Sequence, residues 1–518
     1  MTGPAHPIVA VVGAGIAGLA AAWELVGGAS GGGASGGGAS EVAAPEVHVF
    51  EASDRVGGKL ESAELAGRMV DLAADAFLAR RPEATGLCAE LGLTGSLVPV
   101  GASGASIWAR GRLRMMPAGL HLGVPTRWWP LVRSGILGPF EVVRPGLDLV
   151  TPHRPGAVSG DRSVGAIVGE RLGTTVVERL VDPLVGGIHA GGVGELSAAA
   201  TFPVLIAASH QAGSLMRSLG RASRQATTAF AGNAAGSSSP VFWSLPGGTA
   251  SLAALLADAL VGRGVSIHTG VAVDSVGRED GGRAGHNPTA NWSLSLRRTG
   301  PGVEAPTTTL DVDGLVLAVP APEAAGLLAP VAPEAAGLLG AITYSSVGVI
   351  TLALPVGALG APLRGTGFLV PRTSTVDGQP TLTTGVTYLG RKWPHLARSG
   401  DELIRVSVGR FGDERHTALD DDELVASVLG ELTVLVRLQG VPLQAIVTRW
   451  DAAFPQYEVG HLVRVGQVEQ SLAALGTVAV AGAALRGVGI PACIGSGRHA
   501  ARHVLAGLTT GTGTATTP

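Results

Sequence analysis

An α/β plus α+β fold is predicted by three features of the 518-residue sequence. The stretch 8–18, IVAVVGAGIAG, is an apolar run that breaks into Gly13-x-Gly15-x-x-Gly18 and continues with helical spacing over 19–25. Residues 478–507 repeat that order near the other end: apolar strand, glycine-rich turn, helix. Between them, residues 344–460 alternate apolar and polar positions and carry many β-branched residues, the pattern of an antiparallel sheet. Together they predict nucleotide-binding α/β units near both ends of the chain with a sheet domain between them.

The N-terminal motif has a physical reading residue by residue. Gly13 permits the tight turn, Gly15 lets backbone N–H groups approach a pyrophosphate, and Gly18 lets the helix lie close on its strand. The whole turn, Gly13, Ala14, Gly15, Ile16, Ala17 and Gly18, then faces the phosphates with the positive end of the helix behind it. Glu51 ends a second apolar strand over 47–51, where an acid accepts from ribose hydroxyls. The acid belongs about 20 residues after the glycines, and Glu51 lies further on. The excess is GGASGGGASGGGAS at 27–40, a Gly/Ser/Ala repeat with nothing to pack, expected to be a flexible insertion.

Bulk properties narrow the class. Hydrophobic residues make up 46% and charged residues 15% of the chain, a composition for large packed cores rather than disorder. The net charge of −3 argues against a nucleic-acid binder. Two cysteines, Cys88 and Cys493, form no CxxC and no disulfide framework, as suits a reducing cytoplasm. Neither a signal-peptide pattern nor an uninterrupted apolar run of about 20 residues occurs.

Directly after Glu51 comes Ala52-Ser53-Asp54-Arg55-Val56-Gly57-Gly58-Lys59. Two glycines and two cations, Arg55 and Lys59, make a second phosphate-facing loop with Ala52 and Gly58. The run 51–59 resembles the amine-oxidase-type flavoprotein superfamily, and its GGK ending is similar to the protoporphyrinogen/coproporphyrinogen oxidase branch, most like the coproporphyrinogen III oxidases of bacteria. The resemblance implies FAD as cofactor and spans nearly the whole chain. Residues 65–83 resemble the segment that passes over the flavin into the substrate pocket. Where the family has Gly-Pro-Asp-Ser, this chain has Ala73-Ala74-Asp75-Ala76, followed by Phe77. The guanidinium forks of Arg80 and Arg81 suit a propionate; a solvated helix start before Pro82 is the plainer reading.

The resemblance implies a discontinuous Rossmann-like FAD-binding domain, a mixed-sheet substrate domain and a helical insertion, divided as 1–84 for the first part of the FAD domain, 85–210 for a helical substrate-access and membrane-contact region, and 241–325 for returning strands. The substrate domain follows over 326–470, then the second part of the FAD domain over 471–507 and a disordered tail over 508–518. Within the second region, 84–93 reads as a helix, and Arg110, Arg112 and Arg114 alternate as in a short strand. Residues 117–150 are apolar, broken by Pro and Gly, and include Trp128 and Trp129. The signature Val181-Asp182-Pro183-Leu184 and the run 186–191 match the branch; His189, alone among glycines, reads as structural. Residues 222–240 read as an exposed loop and 278–290 as an insertion. The resemblance brings Val273 to the adenine side, Phe368 and Leu369 of the 367–371 signature to the substrate, and Trp450 near the flavin. Lys392-Trp393-Pro394-His395 is another signature. Gly482, Val488, Gly489 and Ile490 complete the FAD site, and the helix after them stabilises negative charge at the flavin N1–C2 edge.

The resemblance implies oxidation of coproporphyrinogen III to coproporphyrin III in haem biosynthesis. Six electrons leave in three two-electron steps, each with hydride transfer to flavin N5; oxygen serves as acceptor and gives hydrogen peroxide. Protoporphyrinogen IX is the second candidate substrate, differing by two vinyls in place of two propionates. More distant alternatives are an amine oxidase, a carotenoid-desaturase-like enzyme and an FAD-dependent scaffold. Three tyrosines, Tyr344, Tyr388 and Tyr457, argue against the aromatic cage of an amine oxidase. No metal site and no residue acting as proton acceptor stand out. The expected location is cytoplasmic and peripheral at the membrane, with transient contact to the membrane surface or to the next haem-pathway enzyme.

Overall fold

The computed structural model describes residues 6–27, 44–151, 160–231, 240–278, 291–300, 306–360 and 363–511. Most of the Gly/Ser/Ala repeat, most of 278–290 and the end of the tail lie outside these residues.

The apolar N-terminal run forms the strand Ile8–Val12 at the centre of a five-stranded parallel sheet. Across the sheet stand Ser266–Thr269, Glu46–Glu51, Ile8–Val12, Gly314–Leu317 and Val478–Val480. Distant parts of the sequence thus share one sheet. The register is fixed by Val9 pairing with Val47 on one side and Gly314 on the other. Val9, Ala10 and Val11 are wholly buried, as a parallel strand covered on both faces requires. The helix Ile16–Leu25 is apolar nearly all round because it is packed on two sides, by the sheet and by the helix Ile490–Gly511. The contact is close: a Cβ on Gly497 would meet the Ala17 carbonyl oxygen.

The second body is a seven-stranded sheet ordered Gln444–Pro455, Tyr344–Pro355, Asp401–Val408, Thr383–Tyr388, Gly367–Leu369, Ser106–Ala109 and Arg112–Met115. All its pairings are antiparallel except the one between Gly367–Leu369 and Ser106–Ala109. The helix Asp421–Leu435 covers one face, with Leu424, Val428 and Leu432 buried against Ile350, Val406 and Val408. A capping box fixes its start: Asp420 and Glu423 exchange side-chain-to-backbone hydrogen bonds.

Several expectations need correction. The stretch 85–210 is not wholly helical: its hairpin Ser106–Ala109/Arg112–Met115 belongs to the seven-stranded sheet. Ile107 and Ala109 are buried while Arg112 is exposed, so the hairpin supplies an edge with one covered face. Arg110 stands in its turn with φ +55°, outside the strand. Residues 222–231 are not a loop but continue the helix Leu215–Ala231, since Ala, Gln and Arg favour helix once Ser214 turns the chain. Residues 508–511, expected in the tail, complete the helix Ile490–Gly511. Val271–Arg278 lies not in the parallel sheet but in a three-stranded antiparallel sheet with Trp292–Arg298 and Thr308–Val312.

Candidate functional site

A single cavity of about 1090 Å³ runs from the glycine turns to the seven-stranded sheet. It lies just above the ~300–1,000 Å³ range of small-molecule sites. At one end the walls are backbone. Gly13 adopts φ +101°, and a Cβ there would meet the Ala318 carbonyl oxygen at 2.6 Å. A Cβ on Gly18 would collide with the Gly13 carbonyl, so only glycine lets the helix start this close to the turn. A Cβ on Gly15 would meet nothing within 4 Å: the space before it is the cavity itself. The second glycine loop docks on the first, the Gly57 N–H donating to the Ala14 carbonyl at 2.9 Å.

Glu51 ties these loops together. Its Oε2 accepts from the Ala14 N–H at 2.8 Å, and its Oε1 accepts from the backbone N–H and hydroxyl of Ser53 at 3.0 and 2.8 Å. A carboxylate has further acceptor capacity, and Glu51 also lines the cavity. Lys59 faces the cavity nearby; loss of hydration within the protein lowers its pKa, partly offset by Glu323 and Cys493. From the far end of the chain come Gly482, Val488, Gly489 and Ile490, the last opening the helix Ile490–Gly511. Its positive end therefore points at the same space.

The middle of the cavity is spanned by residues 73–76, held from outside. Asp71 Oδ1 accepts from the Thr249 N–H at 2.7 Å and the Ser62 hydroxyl at 2.8 Å. Arg405 donates to the Ala73 carbonyl at 2.7 Å, and the Trp450 indole donates to the Leu72 carbonyl at 3.1 Å. Asp75 is buried and receives Lys392 Nζ at 2.8 and 2.9 Å, the Trp393 indole at 3.0 Å and an ion pair from Arg405 at 3.2 Å. Burial alone would raise the pKa of Asp75, but Arg405 and Lys392 outweigh it and hold the carboxyl below the usual carboxylate range.

The far end is lined by Val370, Thr384, Ser407 and Arg410 of the sheet and its loops, and by Asp182, Pro183 and Gly186 of Val177–Gly186. That helical segment has the wide π-type turn, and Pro183 lies inside it, where it cannot donate to an α-helical ladder.

Of the sequence-predicted residues, Gly13, Gly15, Ile16, Ala17, Glu51, Ala52, Gly58, Lys59, residues 73–76, Val273, Trp450, Gly482, Val488, Gly489 and Ile490 all line this one space. Ala14 and Gly18 lie behind it as framework. Arg55 does not reach it: its guanidinium binds the Gly58 carbonyl at 2.9 Å and Glu61 at 2.5 Å, bracing the loop from within. None of the five substrate expectations lines the cavity. Phe77 is buried in the core of the parallel-sheet half, and Phe368 lies in the core under the helix Asp421–Leu435. Leu369 packs on the helical side. Arg80 and Arg81 are exposed, and Arg81 caps the helix Pro82–Glu90, 3.9 Å from Glu83. His189 is buried beside Tyr457, and burial lowers its pKa to about 4.

Sequence reasoning missed Arg405 and Arg410 and gave Asp182 and Lys392 no role beyond their signatures. Arg405 carried one usable signal, a lone cation inside the apolar alternation of Asp401–Val408. Among the described residues, no cluster of His, Cys, Asp and Glu is arranged to hold a metal ion, and no helix is long and apolar enough to cross a membrane.

Comparison with known proteins follows the same outline. The family described as flavin containing amine oxidoreductase matches residues 16–505. A coproporphyrinogen III oxidase of Propionibacterium freudenreichii subsp. freudenreichii is 35% identical, over 96% of this chain and 91% of its own. One from Bacillus subtilis (strain 168) is 30% identical, over 96% and 97%. A solved structure from Exiguobacterium sp. 255-15, provisionally named a protoporphyrinogen oxidase, superposes with a TM-score of 0.79 at 28% identity, covering 97% of this chain and 99% of that one.

Proposed function

The chain belongs to the flavin-containing amine oxidoreductase family, and on that premise we propose that it is an FAD-dependent oxidase of coproporphyrinogen III, producing coproporphyrin III. The observation that carries the reading is the continuous cavity joining two glycine loops to a sheet-lined chamber with cations in its wall. FAD, rather than a mononucleotide, is supported by the pairing of the two loops with Glu51 at a ribose position. The open space before Gly15, which a Cβ would enter freely, is the fit for the pyrophosphate.

Gly13–Gly18, Gly57–Lys59 and the start of Ile490–Gly511 would hold the cofactor's phosphates and ring edge. Bound flavin supplies a two-electron acceptor for hydride from the macrocycle. The protein's own part is positional: Val347, Val349 and Val370 offer apolar walls, while Arg405, Lys392 and Asp75 fix residues 73–76 between the two halves. Three two-electron oxidations complete the aromatic product, oxygen takes the electrons, and hydrogen peroxide leaves.

The full-length likeness to proteins named coproporphyrinogen III oxidase supports the tetracarboxylate over protoporphyrinogen IX. The reaction belongs to the cytoplasm in this reading, in keeping with Cys88 and Cys493 being free. The exposed Trp129, Phe140, Val143, Leu147 and Val150 support a transient contact with a membrane surface or with the enzyme that takes the product.

The test is an aerobic assay of purified protein with both porphyrinogens side by side, reading porphyrin fluorescence and peroxide. Preference for coproporphyrinogen III with peroxide formed supports the proposal; activity on protoporphyrinogen IX alone overturns the substrate.

A further inference from the structure

We infer that Arg410 is the carboxylate receptor of the chamber, binding one acidic arm of the substrate through its guanidinium; this deepens the proposed function and rests on it. Arg410 follows the turn at Gly409, which adopts φ +82° at the end of Asp401–Val408. Its own backbone is pinned: the N–H donates to the Asp413 carbonyl at 3.2 Å and its carbonyl accepts from the Asp413 N–H at 2.8 Å. The residue is 7% exposed, yet it lines the cavity.

What sets it apart is that its side chain has no hydrogen-bond or ion-pair partner among the described residues. Its buried Nε has no hydrogen bond, and no carboxylate of the described residues forms an ion pair with it. The two carboxylates in its neighbourhood are engaged elsewhere. Asp413 receives Arg415 at 2.7 and 2.9 Å. Asp182 accepts from the Val193 N–H at 3.2 Å and faces Arg372 at 3.8 Å. The cations at the middle of the cavity contrast with it: Arg405 and Lys392 are both satisfied by Asp75. Burial, and then Arg372, push the pKa of Arg410 down from its ordinary value, and the nearby charges of Asp413 and Asp182 offset this only in part.

A buried, unpaired guanidinium is costly, and a planar carboxylate satisfies it with two parallel charge-assisted hydrogen bonds. Coproporphyrinogen III carries four propionates, and its competitor carries two of them with vinyls in place of the others. An arginine deep in the chamber therefore recognises the class of substrate by its acidic periphery.

The test uses flavin-loaded full-length protein. Affinity for coproporphyrin III and for its tetramethyl ester is measured by fluorescence titration in wild type, Arg410→Gln and Arg410→Lys, alongside kcat and KM for coproporphyrinogen III. The expected result is an affinity for the free acid about 10- to 100-fold weaker in Arg410→Gln, the range of a lost charged hydrogen bond. KM rises with it, kcat and the flavin spectrum are held, and Arg410→Lys recovers part of the loss. Ester binding is the same in all three proteins. Free-acid affinity within about twofold of wild type in Arg410→Gln, the limit for a surface change, overturns the assignment, as does an equal loss for acid and ester. If the Gln variant does not fold, wild-type protein that binds ester as tightly as acid overturns it. Wild type inert on every porphyrinogen, but losing acid binding on Arg410→Gln, would refute the proposed reaction and leave the carboxylate receptor standing.

Discussion

The two ends of the cavity are made of different materials. At the glycine-turn end a ligand would meet backbone: glycine turns, a helix N-terminus and one carboxylate that organises them. At the sheet end it meets side chains brought together from residues 182, 370, 384, 405, 407 and 410. Backbone sites demand glycine at fixed offsets, because a Cβ at Gly13 or Gly18 collides with neighbouring carbonyls. Side-chain sites demand only that some residue of the right chemistry arrives, and the arrival is decided by tertiary packing.

The sharpest break in this comparison is at Gly18. Gly18→Val should abolish retained flavin and lower stability by about 1–3 kcal/mol or more, as overpacking does. The measurements are flavin absorbance after purification and a denaturation midpoint. A yellow, stable variant would show that the close approach of helix to strand is dispensable.

Next is the hinge between the two ends. Asp75→Asn leaves Lys392 and Arg405 without their shared anion, and removing one partner of a buried pair costs about 3–5 kcal/mol. The carboxyl is depressed in the folded state, so its stabilisation is present above its unfolded pKa, about 3.9, and is lost as the pH falls towards its folded value. Urea titrations from pH 7 to 3 should therefore give Asp75→Asn a flatter acid limb than wild type. Parallel limbs would remove Asp75 from the account.

A smaller effect separates framework from chemistry. His189 is held neutral by burial, with a pKa of about 4, so its contribution to stability is present above about pH 6.5 and is lost as the pH falls from there to about 4. His189→Asn should soften that loss and leave the pH dependence of kcat unchanged. A shifted kcat profile would make His189 a proton carrier instead.

The smallest effect is expected where the sequence placed substrate contacts. Arg80→Ala and Arg81→Ala should change KM by no more than about twofold, the effect of a surface substitution. A tenfold rise in KM in steady-state assays would return these arginines to the site.

These contrasts explain what could be read from the chain in advance. The glycine turns, Glu51 and the C-terminal turn were legible because each is tied to a local pattern, whereas residues 73–76 and Trp450 came only from the family resemblance. Removing the Gly/Ser/Ala repeat was enough to restore the spacing between Gly18 and Glu51. Arg80 and Arg81 were misplaced because their chemistry fits a propionate and only the fold shows them exposed just before the helix Pro82–Glu90. Phe368 sits on a strand whose register turns its ring into the core beside Tyr388. Arg410 follows a glycine in a loop and has no period to betray it. Arg55 shows a third case: the residue belongs to the predicted loop, but its charge is used to brace that loop through Gly58 and Glu61 rather than to meet a ligand.

The central claim is that electrons pass from a porphyrinogen to the flavin and then to oxygen. It is tested most directly by mixing FAD-loaded protein with coproporphyrinogen III without oxygen and recording the flavin absorbance near its visible maximum. The account predicts bleaching of the flavin band as porphyrin fluorescence appears, followed by recovery of the yellow colour and release of peroxide when air is admitted. A flavin band that stays intact with coproporphyrinogen III, yet bleaches with an amine or a polyene, would contradict it.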